Sequence, residues 1–162
     1  MKRALLIAVG ALTLLNLLGC GGGGGGTGSG TPAATSAIID LSTSGTLPSG
    51  QLINGVTVTV NLPTGVTVQN VIPSGELAGT GVVTINPANT DSSKITFYTI
   101  NNDNNTLSPF NIGKFATITC SIAAGNSPQP TDFSIAPGAI ITSNTTFATI
   151  PGMSVTFVAD IH

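Results

Sequence analysis

The side chains that most often carry enzymatic chemistry are scarce in this sequence. The single histidine is His162, the last residue, where we expect the chain to fray. A histidine in that place suits neither a Ser-His-Asp triad nor a metal site. Glycoside hydrolysis needs two carboxylates in a cleft, and the conceivable pair, Glu76 and Asp91, lies in turn-like contexts typical of solvated acids. The sequence therefore predicts a protein that is not an enzyme.

Oxygen ligands are concentrated in one stretch, Asn101-Asn102-Asp103-Asn104-Asn105. Carboxylate and amide oxygens are hard ligands that suit Ca²⁺, which makes the stretch a candidate calcium site. It lacks the spaced acids and the closing Glu of a dedicated calcium loop, and Asn and Asp are also favoured in ordinary turns. A plain loop without metal is the preferred interpretation, and no cofactor is predicted.

One of the two cysteines, Cys120, lies within an alternating segment, 114–122. Ala116, Ile118 and Ile122 share its face if the segment is a strand. A free cysteine among apolar neighbours packs as a small hydrophobic residue. We therefore expect a buried, inert thiol at Cys120.

The elements that position these residues are strands, because the apolar pattern after residue 36 has a period of two. Val56, Val58 and Val60 alternate with threonines, and a similar alternation follows Met153. Gly and Pro mark the turns between the runs. About nine strands are predicted, at 37–41, 56–62, 66–72, 82–86, 95–100, 114–122, 132–135, 139–142 and 153–159. Many short strands with one polar and one apolar face predict an all-β antiparallel sandwich.

The segment 36–162 has the usual length of a single domain. It contains two lysines, Lys94 and Lys114, and all six acidic residues of the chain. Nucleic acids and anionic membrane surfaces are bound mainly through clustered Lys and Arg. This acidic balance therefore argues against nucleic acid as a partner.

The first residues have the pattern of a secretory signal peptide, which we assign to 1–19. Lys2 and Arg3 precede an apolar run at 4–18. As a helix this run would span about 22 Å, which is short of the roughly 30 Å of bilayer hydrocarbon. A cleaved export signal is therefore favoured over a membrane-spanning anchor.

The end of this run, Leu17-Leu18-Gly19-Cys20, resembles the lipobox of bacterial lipoproteins. The resemblance implies cleavage between Gly19 and Cys20 and a diacylglyceryl group on the Cys20 thiol. Stable anchoring needs more than one acyl chain, a condition that a triacylated Cys20 would meet. The expected first partner of the protein is thus membrane lipid, held through Cys20.

The lipidated cysteine and the residues after it, 20–35, are predicted to form a flexible linker. From Gly21 to Thr35 the chain is almost wholly Gly, Thr, Ser, Ala and Pro. Such a composition stays flexible, with a root-mean-square reach of roughly 20 Å. By resemblance to enterobacterial lipoproteins, the absence of an acidic residue after Cys20 implies export to the outer membrane of a Gram-negative host.

The order of elements in the domain resembles that of cohesins, the jelly-roll sandwiches with which bacterial surface scaffolds hold dockerin-bearing proteins. Three stretches carry the resemblance: VTVTVNLPTGVTVQNVIPSGEL (56–77), KITFYTINNDNNTLSPFNIGKFATITCSI (94–122) and DFSIAPGAIITSNTTFATIPGMSVTF (132–157). Cohesins usually carry Tyr-Asp before the corner proline, and this chain has Asn61-Leu62 before Pro63. The resemblance implies a jelly-roll fold of the carbohydrate-binding-module-like superfamily and non-catalytic protein binding.

The expected function is presentation of this sandwich at the cell envelope for binding to a dockerin-bearing or other envelope protein. A carbohydrate-binding module is one alternative, since such modules stack sugars on exposed aromatic rings. The chain has no Trp and one Tyr, Tyr98, which is out of phase with the apolar Ile95 and Phe97. A structural envelope protein that self-associates is another alternative. The binding-face residues are not assigned.

Overall fold

β-strands make up most of the regular structure in the described part of the protein. The computed structural model describes residues 33–85, 94–103, 106–144 and 148–162. Its strands are β1 Ser36–Ser44, β2 Ile53–Asn61, β3 Val66–Pro73, β4 Gly81–Ile85, β5 Lys94–Asp103, β6 Thr106–Leu107, β7 Lys114–Ile122, β8 Ser134–Ile135, β9 Ile140–Ser143 and β10 Ser154–Ile161. Two 3₁₀ turns, Gly75–Leu77 and Pro130–Asp132, are the helical elements of these ranges. No helix within them is long and apolar enough to cross a membrane.

The strands form two antiparallel sheets. The first has four strands in the order β10-β1-β7-β3. The second has the order β4-β5-β2-β8, with β9 also paired to β2 and β6 paired to β5. The chain crosses repeatedly from one sheet to the other, as β1, β2 and β3 already do. The predicted all-β antiparallel architecture is confirmed. The described residues form one strand more than expected, because the two-residue β6 is too short to show a period.

The core lies between the inner faces of the two sheets and is built from alternate residues of the long strands. In β1, Ala37, Ile39 and Leu41 are fully buried while the residues between them are not. Because successive side chains of a strand point to opposite faces, a period of two buries one whole face. Among the strand residues whose burial the structure describes, the other buried apolar ones are Ile53, Val56, Val58, Val60, Val66, Phe115, Ala116, Ile118, Cys120, Ile122, Ile141, Val155 and Ala159.

Two bulges interrupt the strict alternation in the four-stranded sheet. In β7, Phe115 has no partner in the register with β1, and both Phe115 and Ala116 are buried. In β3 the register with β7 shifts between Val68 and Asn70, which leaves Gln69 as an extra residue. An inserted residue puts two successive side chains out of phase with the pleat. The bulges therefore let each strand return its apolar residues to the core.

The predicted segment boundaries lie partly inside the described ranges. The signal segment 1–19 and the lipobox, with Gly19 and Cys20, lie outside them. Of the linker 20–35, the last residue Thr35 donates its N–H to the His162 carbonyl and accepts a hydrogen bond from the Ile122 N–H at 2.9 Å. The hydrogen bonds of the sandwich thus begin one residue before the predicted domain boundary.

Candidate functional site

His162 does not fray as the sequence suggested. Its N–H donates to the Ser36 carbonyl at 2.8 Å, and its own carbonyl accepts from the Ser36 N–H at 3.0 Å. The last residue is therefore paired with the start of β1, which is a central strand of its sheet. Its side chain is exposed.

Only one member of the conceivable carboxylate pair lies in the described part of the chain, so the pairing is untested. Glu76 is exposed in the 3₁₀ turn after β3, and Asp91 lies outside the described residues. No group of three or more His, Cys, Asp or Glu side chains suited to hold a metal ion occurs among the residues that the structure describes.

Part of the Asn-rich stretch forms a strand instead of the loop that the sequence indicated. Its first three residues, Asn101 to Asp103, belong to β5, while Asn104 and Asn105 lie outside the described residues. Asn101 pairs with Gly81, and Asp103 pairs with Thr106. Pairing with β4 and β6 satisfies the backbone and overrides the weak strand propensity of Asn and Asp. The loop prediction is wrong for these three residues, and the calcium alternative stays untested.

Cys120 is buried as predicted. It is 1% exposed on the core face of β7, and it is a free cysteine. Burial raises the pKa of the Cys120 thiol to about 11, because the thiolate would lose its hydration in the core. The thiol is therefore protonated at neutral pH and is a poor nucleophile.

Tyr98 lies in the middle of β5, and its backbone register is defined. It is opposite Thr57 of β2 and Thr84 of β4. Thr84 is exposed and Thr57 is half-buried, whereas their neighbour Val58 belongs to the core. The Tyr98 side chain lies outside what the structure describes, so its phase stays a prediction.

The outward face of the four-stranded sheet contains a connected polar group, which we call the Asp40 network. Lys114 Nζ lies 2.7 Å from Asp40 Oδ2 in an ion pair. The Thr117 hydroxyl donates to Asp40 Oδ1 at 2.8 Å and lies 3.0 Å from Ser74 Oγ. Four residues from β1, β7 and the end of β3 are thereby joined on one surface.

The electrostatics of the Asp40 network favour the ionised form of its carboxylate. Partial burial alone would raise the pKa of Asp40, but it is outweighed by hydrogen bonds from Lys114 and Thr117 and by the positive charge of Lys114. The net result is a pKa below the ordinary value for an aspartate. Both charged side chains remain more than one third exposed. Asp40 can therefore accept hydrogen bonds from a partner, but it is a poor proton donor at neutral pH.

Three exposed apolar side chains surround the Asp40 network on the same face. They are Ile38, Ile72 and Val158, which are 37%, 45% and 66% exposed. The register places them close to the network, since Asp40 is opposite both Val158 and Thr117, and Thr117 is opposite Ile72. A strip with an apolar residue at each end and a charged centre therefore crosses all four strands.

The sequence alone does not identify this strip, although the alternation of apolar and polar residues in β1 shows part of it. The alternation in β1 puts Ile38 and Asp40 on the face opposite Ile39. The partners of Asp40 come from a strand more than seventy positions away along the chain. Only the strand order of the folded sheet brings Asp40, Lys114 and Ser74 together.

In comparisons with known proteins, no family model, curated protein or solved structure matches this chain. What the described residues offer chemically is a hydrogen-bonding and apolar surface with an ionised carboxylate at its centre.

Proposed function

We propose that this protein is a lipoprotein of the cell envelope that binds another protein, without catalysis, through its β-sandwich. The lipobox-like 17–20 stretch supports export and lipid attachment at Cys20, and the Gly-rich 21–35 segment supports a tether. In a Gram-negative host the expected location is the outer membrane. The cohesin-like order of elements makes a dockerin-bearing protein the first partner to test.

The observation that carries the binding proposal is the strip formed by Ile72, Thr117, Asp40 and Val158. Protein interfaces combine apolar contacts with a limited number of charged or hydrogen-bonded groups. The strip has this composition on a regular sheet, which presents a rigid surface. Because the Lys114–Asp40 pair is already formed, a partner can add hydrogen bonds without first ordering these two side chains.

Two isoleucines provide a matched test of this surface. Ile72 on the four-stranded sheet is 45% exposed, and Ile140 on the six-stranded sheet is 44% exposed. Ile72→Lys places a desolvated charge in the proposed interface, whereas Ile140→Lys makes the same change on the opposite side of the sandwich. Saturable binding of a purified dockerin-bearing protein to the full chain should be lost in Ile72→Lys and kept in Ile140→Lys. Equal binding by both variants would contradict the assignment of this face.

The lipid anchor is tested separately by the intact mass of the membrane-extracted protein. The native chain should begin at Cys20 and carry added acyl mass, and Cys20→Ala should carry none. An unmodified native chain would contradict the anchoring proposal and leave the binding proposal standing. Retardation of the protein in an affinity gel that contains cellulose, chitin or xylan would instead favour the carbohydrate-binding alternative.

A further inference from the structure

The outer edge of β10 carries backbone groups that the described part of the protein does not pair. The hydrogen bonds between Ser36 and His162 fix the register of β1 and β10. In an antiparallel ladder, hydrogen-bonded pairs alternate with non-hydrogen-bonded pairs. Residues with even numbers in β10 therefore bond to β1, and the N–H and C=O groups of Val155, Phe157 and Ala159 point away from it.

This edge is regular over its whole length. All eight residues of β10 pair with β1 without a register shift. The strand SVTFVADI contains no Pro and no Lys, the residues with which proteins commonly protect an edge. Its outward face carries Val158, the most exposed large hydrophobic side chain of the described residues. Such an edge is a template for a further strand.

We propose that β10 pairs antiparallel with β10 of a second copy of this chain, about a twofold axis at Val158. Directly opposite residues in a ladder share a face, so a twofold pairing must match even positions with even positions and odd with odd. Centring on Val158 meets this requirement. It joins the two four-stranded sheets into one continuous sheet.

The resulting pairs are compatible on both faces. On the core side, Phe157 lies opposite Ala159 and Val155 opposite Ile161, and each pair exchanges two backbone hydrogen bonds because the free groups belong to these residues. All four residues belong to the core or pack against it, so the apolar layer continues across the axis. Apolar residues opposite one another on both strands stabilise such a ladder.

On the outward side, the two Val158 side chains meet at a non-hydrogen-bonded position, where opposite side chains are closest. Thr156 lies opposite Asp160, so a hydroxyl faces a carboxylate and no like charges are opposed. The two Asp160 residues are separated by roughly 13 Å along the strands, which exceeds a Debye length of about 10 Å. Self-complementarity in charge, polarity and register is the reason for choosing a second copy as the occupant.

Disulfide trapping of the full chain in its membrane tests the pairing. Val158→Cys places two thiols opposite each other at a non-hydrogen-bonded position on the axis, where the Cα atoms are about 4.5 Å apart, a separation that permits a disulfide. The matched control is Ile72→Cys on β3, an exposed position at the other edge of the same sheet. The wild-type chain, which retains Cys20 and Cys120, sets the baseline. Under mild oxidation we expect a covalent dimer as the main species for Val158→Cys only.

The register has its own test. Thr156→Cys and Asp160→Cys should each form no covalent dimer when expressed alone, because like thiols lie about 13 Å apart along the strands, and should form a disulfide-linked mixed dimer when expressed together. Equal cross-linking of Val158→Cys and Ile72→Cys, or none by either, would overturn the proposal. The cross-linking experiment needs no partner protein, so a negative result would not bear on dockerin binding. Absence of dockerin binding would likewise leave the dimer proposal intact.

Discussion

The two edges of the four-stranded sheet, β3 and β10, have similar lengths but differ in how they are held. β3 has a bulge at Gln69. The Gln69 side-chain amide donates a hydrogen bond to Ser121 Oγ at 2.9 Å. β3 ends at Pro73, which has no N–H, and the next residue, Ser74, donates its N–H to the Phe115 carbonyl at 3.0 Å. A proline and a bulge both interfere with the addition of another strand.

β10 has neither device. Its ladder with β1 is unbroken, and its side-chain hydrogen bond to the neighbouring strand is a long one, from the Thr156 hydroxyl to the Ser42 carbonyl at 3.4 Å. The two edges of this sheet therefore differ in what they can do. The β3 edge is closed by contacts that stabilise the monomer, and the β10 edge is left regular enough to receive a strand.

The largest effect is expected where β3 leaves the sheet. Gly75 has a φ of +57°, and a Cβ there would overlap the Lys114 carbonyl oxygen. Gly75→Ala should lower the free energy of unfolding by about 2–4 kcal/mol, from left-handed strain together with the steric overlap. The measurement is urea unfolding of the full chain.

Gly79→Ala is the matched control for that change. Gly79 lies in the same connection with a φ of +80°, but a Cβ there meets nothing within 4 Å. It should cost only the strain, about 1–2 kcal/mol. Equal losses in the two variants would mean that the approach of Gly75 to β7 does not secure the β3 edge.

A second effect comes from Cys120, which β3 shields on one side through its pairing with Val68. The folded-state pKa is raised to about 11 from 9.0, so the unfolded chain loses the thiol proton first. Stability is therefore constant below pH 9 and falls as the pH rises toward 11, by roughly 2–3 kcal/mol at 1.36 kcal/mol per pKa unit. Unfolding measured at pH 8 and near pH 11 should show this extra loss in the wild type and not in Cys120→Ala. The same loss in both would show that the thiol is not shielded.

The strand content of both edges is predictable from the sequence, whereas their difference is not. Alternation identified β3 and β10 within one or two residues, because burial of one face imposes the period directly on the residue types. The bulge at Gln69 leaves no such mark, since it depends on the register with β7. The edge position of β10 depends on the order of strands in the sheet, which no local pattern encodes.

The candidate surface shows the same limit. Ile38 and Asp40 share a face, and this follows from the period of two in β1. The ion pair with Lys114 does not, since it joins residues far apart along the chain. The loop prediction for the Asn-rich stretch is wrong for a related reason: Asn101 to Asp103 form a strand because β4 and β6 pair with them, in spite of their turn-favouring side chains.

A smaller effect is expected from the Asp40 network, which connects β1 through Thr117 to the end of β3. Asp40→Asn should cost less than about 1 kcal/mol at neutral pH, because the ion pair is more than one third exposed. The folded-state pKa of Asp40 lies below its ordinary value, so its contribution is present above about pH 4 and is lost as the pH falls through the folded pKa.

Asp160→Asn on β10 is the control for this change, since Asp160 forms no ion pair with a described residue. Unfolding at pH 7 and near pH 3 should show a smaller acid-dependent loss in Asp40→Asn than in the wild type. Asp160→Asn, which removes no ion pair with a described residue, should leave the free energy of unfolding at pH 7 close to that of the wild type. A reversed order would indicate that the β10 edge, rather than the β3 side, depends on an ionised carboxylate.

The smallest effect on stability distinguishes the edges most sharply. Val158→Lys and Ile72→Lys both replace an exposed apolar side chain, so each should change the free energy of unfolding by no more than about 0.5 kcal/mol when measured at low protein concentration. At high concentration the two variants should diverge. Dimer formation followed by sedimentation should be lost in Val158→Lys, because two lysines would meet at the axis, and kept in Ile72→Lys. If both variants associate as the wild type does, the regularity of β10 has no role in assembly and the difference between the two edges concerns monomer stability alone.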